Sequence, residues 1–196
     1  MFANRYTALV DACALAGALR RNLLLTLAEA EFFRVRWSQP IMDETRIAIE
    51  GILSKKHVSD ATVRAVRACG GMMKAFEDAM VAGFEEYLPA CAGLPDPKDA
   101  HVLAAALKTR ADVIVTENLN HFPDEVLDPL GIEAHPADTF IANTIALEVG
   151  RAVTAIRRMR ERLVDPTLSA DDLFLKMEAQ GLIDTVDTLK PYIHSL

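Results

Sequence analysis

Three acidic residues stand where short apolar segments give way to something else. Asp11 closes the run of residues 6–10, Glu44 lies near the start of a helical stretch after Pro40, and Asp99 opens an alanine-rich stretch that ends at Lys108. Hard divalent cations such as Mg2+ take oxygen ligands and bind through a few carboxylates, leaving positions for water and a substrate phosphate. Carboxylates on three separate elements can converge on such an ion. The chemistry is then that of a nuclease or phosphatase, because a bound ion lowers the pKa of a water and polarises a phosphoryl oxygen. Each residue alone has a plainer duty. Asp at a strand-to-helix junction caps the helix, and Glu in an early turn complements the helix dipole. The combination is what carries information.

The elements that must position these residues alternate. Residues 6–10 read as a strand, 19–32 as a helix and 33–37 as a half-buried strand. Ser38 is an N-cap with Pro40 in the first turn of a helix carrying Ile41, Thr45, Ala48 and Ile52 on one side. Helix is expected over 60–68, a break at Gly70-Gly71, more helix to Met80, then a short strand over 84–88. Residues 94–98 form a turn, 99–108 a helix, 113–115 a buried strand and 132–134 a last strand, with another helix beginning near Pro123 and Asp138 capping the helical stretch behind it. The pattern predicts an α/β/α sandwich around a mostly parallel sheet. Ligands in such sheets gather outside the carboxyl ends of the strands. Asp11 and Thr116 both follow strands directly, and the Thr116 hydroxyl either orients the loop behind it or closes an ST-turn. His101, two residues past Asp99, points about 200° around the helix from it and reads as a structural or surface residue. His121 could contact RNA or a metal, although a lone loop histidine more often does neither.

From Ile141 the pattern is helix only. Ile141, Ile145, Val149, Val153, Ile156 and Leu163 form an apolar stripe opposite arginines, ended by Asp165-Pro166. Ser169 and Asp172 make a capping-box start, and Gly181 a stop. The division expected is a main domain over 1–142 and a helical extension over 143–196.

Composition narrows the classes. The 196 residues are 51% hydrophobic and 25% charged, ordinary for a globular chain. Apolar runs fall well short of the roughly 20 residues of a membrane span, and Asn4 and Arg5 precede the first strand in place of a signal-peptide core. A cytoplasmic protein with no membrane partner is expected. Cys13, Cys69 and Cys91 are odd in number and widely spaced, which supports neither a disulfide framework nor a zinc site. A net charge of −7 argues against coating nucleic acid with the whole surface. Clustered arginines (Arg20 and Arg21, Arg34 and Arg36, Arg157 to Arg162) fit either phosphate steering beside an acidic pocket or solvated helix faces.

Four segments then occur in order: Leu9-Val10-Asp11-Ala12-Cys13, Trp37 through Glu44, Pro95-Asp96-Pro97-Lys98-Asp99 with the alanine-rich helix behind it, and Val113-Ile114-Val115-Thr116-Glu117-Asn118 continuing to Pro123. Over roughly residues 1–140 the chain resembles the PIN-domain family, and within it the VapC-like toxins. The resemblance implies Mg2+- or Mn2+-dependent hydrolysis of single-stranded RNA to 5′-phosphate and 3′-hydroxyl ends. It implies Asp11, Glu44 and Asp99 as catalytic and metal-binding residues, with Asp96 as an additional acidic neighbour. The family's fourth acidic position falls where this chain has Asn118 and then His121, so Asn118 becomes the metal ligand there and a weaker second ion is expected. Thr116 orients the loop, and Arg20 and Arg21 are candidates for RNA contact. A small antitoxin covering the acidic pocket, and a homodimer, are implied partners.

Two other readings stay open. A Mg2+-dependent phosphatase would use Asp11 as nucleophile, but commonly carries a second acid two positions on, where this chain has Cys13, and a lysine near a later strand. A PIN-like module that binds RNA or protein without turnover is favoured by Asn118 and His121. It is disfavoured by the retained carboxylates, which repel one another without a cation.

Overall fold

A computed structural model describes residues 6–163 and 167–196. Thr7–Val10 (β1) and Val113–Val115 (β4) bury every side chain, as strands covered on both faces must. With Arg34–Ser38 (β2), Met80–Val81 (β3) and Glu133–His135 (β5) they form one parallel sheet in the order β3-β2-β1-β4-β5. The chain winds outward from β1 to β3, then returns to the other side of β1 and continues to β5. The order therefore reverses between β1 and β4, which pair Val10 with Val115 and end side by side. That crevice is where a doubly wound sheet binds ligands.

Helices flank the sheet: α1 (Ala12–Ala16), α2 (Ala18–Glu29), α3 (Gln39–Lys55), α4 (Ala61–Ala75), α5 (Ala100–Thr109), α6 (Asp124–Leu127), α7 (Ala137–Leu147), α8 (Val149–Glu161), α9 (Ala170–Glu178) and α10 (Ile183–Leu189). The C-terminal helices α7, α8 and α9 pack on α2, and Leu173 and Leu189 join the same buried cluster as Leu9 and Ile114. The expected α/β/α sandwich with C-terminal helices is the observed fold. Among the described residues no helix is long and apolar enough to cross a membrane.

Several local expectations are corrected. The buried stripe of α3 is Ile41, Met42, Thr45 and Ile49, while Ile52 is exposed. Helix α4 runs unbroken through Gly70 and Gly71, because Ala65, Cys69 and Met72 bury one face of it and packing outweighs the propensity cost of two glycines, about 1 kcal/mol each. Residues 85–91 form a 3-10 helix, and the third strand comes earlier, where Trp37 and Ser38 pair with Met80 and Val81. Short helix α1, absent from the sequence reading, begins directly behind Asp11. The helix expected from Ile141 onward breaks at Glu148, whose φ of −154° is extended, although Ile141, Ile145, Val153 and Ile156 all remain buried. The expected stop at Asp165-Pro166 and the residues Asn4 and Arg5 lie outside the described residues.

The cap at Asp138 has a different client from the one expected. Its carboxylate accepts the backbone N–H groups of Asp184 (2.8 Å) and Thr185 (2.9 Å) and the Thr185 hydroxyl (2.7 Å), so it caps α10 and not its own helix. Asp138→Ala should cost about 1–2 kcal/mol, the worth of a strong N-cap. Urea unfolding checks it; an unchanged midpoint would mean water replaces the cap without loss.

Candidate functional site

Asp11 leaves β1 with its backbone N–H donating to Val115 O at 3.0 Å, so the ladder places it at the crevice between β1 and β4. It is 5% exposed. Its Oδ1 accepts Ala12 N–H at 2.6 Å, capping α1, and its Oδ2 accepts the Thr116 hydroxyl at 2.7 Å and the Cys13 thiol at 3.0 Å. Fully buried Thr116 in turn accepts Asn118 N–H at 3.1 Å. Thr116 thus closes an ST-turn at the start of the loop behind β4. The Cys13 sulfur accepts Glu117 N–H at 3.1 Å, tying the same loop down a second time.

Burial, then the charge and hydrogen bond of Asp11, push the Cys13 thiol up to about 12. Burial likewise raises Cys69 and Cys91. In the metal-free protein all three therefore stay protonated through neutral pH, and the thiolate is the reactive form. Iodoacetamide at pH 8 should modify Cys13 at least about 10-fold more slowly in the folded chain than in urea. Peptide mass spectrometry reads the rates, and equal rates would refute the burial argument.

Asp99 sits at the start of α5, where the backbone of a 3-10 turn (Pro97–Asp99) presents it beside Asp96. Asp96 Oδ1 accepts Lys98 N–H at 3.0 Å. Asp99 Oδ2 lies 2.7 Å from His121 Nδ1. His121 belongs to the 3-10 turn Leu119–His121 beyond the Thr116 loop, and buried Phe122 anchors the turn from behind. Asp96, Asp99 and His121 offer donor atoms that all fall within 4.8 Å of one another. Glu44, exposed on α3, reaches His101 Nε2 at 3.1 Å. His101 Nδ1 is buried without a partner among the described residues.

The structure brings Asp96 and Asp99 together, with His121 beside them. Asp11, Glu44 and Asp99 do not form such a group among the described residues. The Asp11 oxygens instead meet three donors of its own neighbourhood, and Glu44 meets His101. Sequence alone leaves His121 open between a metal or RNA contact and neither, because only the 3-10 turn decides which side chain of the loop meets Asp99. Its one advance signal was the rule that already singled out Thr116, a loop at the carboxyl end of a strand.

The arginines proposed for RNA are engaged elsewhere. Arg20 pairs with Glu117 at 3.1 Å, and that same Glu117 oxygen accepts Ala137 N–H at the start of α7. Arg21 donates to the carbonyls of Leu15 (2.8 Å) and Ala16 (3.2 Å), closing the end of α1, and burial lowers its pKa. Arg20 thereby ties α2 to the loop behind β4, and Arg21 closes the end of α1. A cleft of about 1240 Å³ lies beside Arg34, Arg36 and Phe76 near the amino end of β2, and neither Asp11 nor Thr116 lines it.

A few carboxylates and an imidazole, half-open to solvent at the carboxyl end of a parallel sheet, suit a divalent cation that keeps positions free for water and phosphate. Comparison with known proteins points the same way. The family profile of the PIN domain matches residues 7–120, and that of the VapC50 C-terminal domain matches residues 137–191. VapC50 of Mycobacterium tuberculosis, a protein with a provisional ribonuclease designation, is 42% identical over 76 residues, which are 39% of this chain and 45% of that protein. The match thus spans less than half the length of that relative. No solved structure gives a significant match. Asp11 behind β1, Asp99 at the head of α5 and the reversal of strand order between β1 and β4 all lie where the matched profile runs, and the chain belongs to the PIN-domain family.

Proposed function

We propose that this protein is a metal-dependent endoribonuclease that hydrolyses phosphodiester bonds in single-stranded RNA, acting as the toxin of a VapBC-like toxin–antitoxin pair in the cytoplasm. The observation that carries the reading is the meeting of Asp96, Asp99 and His121 within 4.8 Å at the sheet end that also holds Asp11. These residues fit a divalent ion, Mg2+ or Mn2+, in donor type and in spacing. When bound, the ion supplies an acidified water and a polarised phosphoryl oxygen. Asp99 and Asp96 hold it from the α5 side. Asp11, kept in place by Thr116 and Ala12, adds the charge of the β1 side. Glu44 stands ready on α3, fixed by His101, and Asn118 offers a side-chain oxygen from the loop. Residues 1–142 would carry the nuclease and 143–196 the extension. A small antitoxin over this pocket and a homodimer complete the reading.

The test is incubation of the purified chain with labelled single-stranded RNA in Mn2+, in Mg2+ and in EDTA. Cleavage that needs the ion is the expected result. A second reading, a PIN-like binder without turnover, is favoured by Asn118 in the usual acidic position and by the separation of Asp11, Glu44 and Asp99. RNA that is bound yet intact under every ion would establish it.

A further inference from the structure

The candidate metal group contains one donor that an all-oxygen Mg2+ site does not use. His121 Nδ1 and Asp99 Oδ2 stand 2.7 Å apart. Two adjacent ligands on an octahedral ion at about 2.1 Å are separated by about 3 Å, and opposite ligands by about 4.2 Å. The pair therefore needs only a few tenths of an ångström to grip an ion in place of the hydrogen now between them, and the Asp96 donor already lies within 4.8 Å of both. The backbone already holds the three donors in place. His121 N–H donates to Asn118 O at 2.9 Å, Asp99 N–H to Asp96 O at 3.1 Å, and Phe122 is 2% exposed. Both side chains remain reachable, with His121 39% and Asp99 20% exposed.

We propose that His121 is a direct nitrogen ligand of the metal, and that this chain accordingly takes Mn2+ or a later first-row ion in preference to Mg2+. Imidazole suits those ions and affinity rises along the series, whereas Mg2+ favours oxygen and parts reluctantly with water. The proposal rests on the metal-site reading above but concerns the ion alone, so it is tested without RNA.

The experiment is calorimetric titration of the EDTA-treated full chain with MnCl2 and with MgCl2, paired with pulsed electron paramagnetic resonance of the Mn2+ complex. The wild type should bind Mn2+ at least about 10-fold more tightly than Mg2+, and its spectrum should show nitrogen coupling. His121→Asp, which restores an all-oxygen set, should keep Mn2+ binding, lose the nitrogen coupling and narrow the Mn2+:Mg2+ ratio. His121→Ala should lose the coupling and weaken Mn2+ by about 10-fold or more, the scale of a lost ligand-sphere interaction. Three results would overturn the proposal: no nitrogen coupling in the wild type, coupling that persists in His121→Ala and so belongs to His101, or an ion preference that His121→Asp leaves unchanged. If both ions bind but His121 proves irrelevant, only this inference fails. If neither ion binds, the metal-dependent reading falls with it.

Discussion

Asp99→Asn should lower metal-dependent RNA cleavage by about 10³-fold, corresponding to about 4 kcal/mol of transition-state stabilisation, within the several kcal/mol that an ion supplies. The substitution keeps the shape of the side chain and one carbonyl oxygen toward His121, so the pocket stays built while its charge falls. Because Asp99 heads α5 without capping it through its side chain, thermal stability should move little. That makes it the cleaner of the two obvious variants. Asp11→Asn should also silence cleavage, but it turns an amide nitrogen toward donors in a site where Ala12 N–H, the Thr116 hydroxyl and the Cys13 thiol all point at the carboxylate. A buried group left facing like partners costs about 1–3 kcal/mol, so loss of activity there mixes chemistry with folding. Gel-based cleavage assays and melting curves on both variants separate the two effects. Undiminished cleavage by Asp99→Asn, or cleavage in EDTA, would sink the assignment.

The largest effect on stability is expected at Trp37. Its indole is fully buried at the end of β2, crossing Phe76 edge-on with ring centroids 6.0 Å apart, next to the residues that recruit the short strand β3. Trp37→Ala should cost about 3–5 kcal/mol through lost contact and the cavity left behind. In a chain of this size that is a fall of about 6–20 °C in Tm, at about 2–4 °C per kcal/mol. Trp37→Phe is the informative companion. The indole Nε1–H is buried without a partner among the described residues, so a phenyl ring gives up volume but also removes an unsatisfied donor. Its net cost should stay below about 2 kcal/mol. Calorimetry on the two variants checks the ordering; a loss for Trp37→Phe as large as that for Trp37→Ala would refute it.

Much of the fold was legible because its signals are local and periodic. The apolar runs behind β1 and β4, the Ser38 cap, the capping box at Ser169 and Asp172 and the stop at Gly181, whose φ is +75°, each rest on a few neighbouring residues. Where the reading failed, distant partners had overruled local propensity. Gly70 and Gly71 stay helical because Cys69 and Met72 are buried beside them. The strand expected over residues 84–88 yielded to Met80–Val81 because β2 supplies its pairing partners there. Asp138 lies beyond reach of any local rule, since the helix it caps begins 45 residues later at Ile183.

The same division runs through the site. By itself the sequence determined which carboxylates stand at the ends of which elements, and hence that Asp11, Asp96 and Asp99 are acids at one edge of a parallel sheet, because residue type and strand end are properties of a short window. Only the tertiary structure decided their company. It turned Glu44 to His101, closed Asp11 in by Thr116 and Cys13, drew Arg20 and Arg21 inward onto Glu117 and backbone carbonyls, and swung His121 onto Asp99. A side chain reaches only a few ångströms and its partners lie up to about a hundred residues away along the chain, as Asp11 and Thr116 do at a separation of 105. Such meetings are set by strand order and turn geometry, which no local pattern of residues encodes.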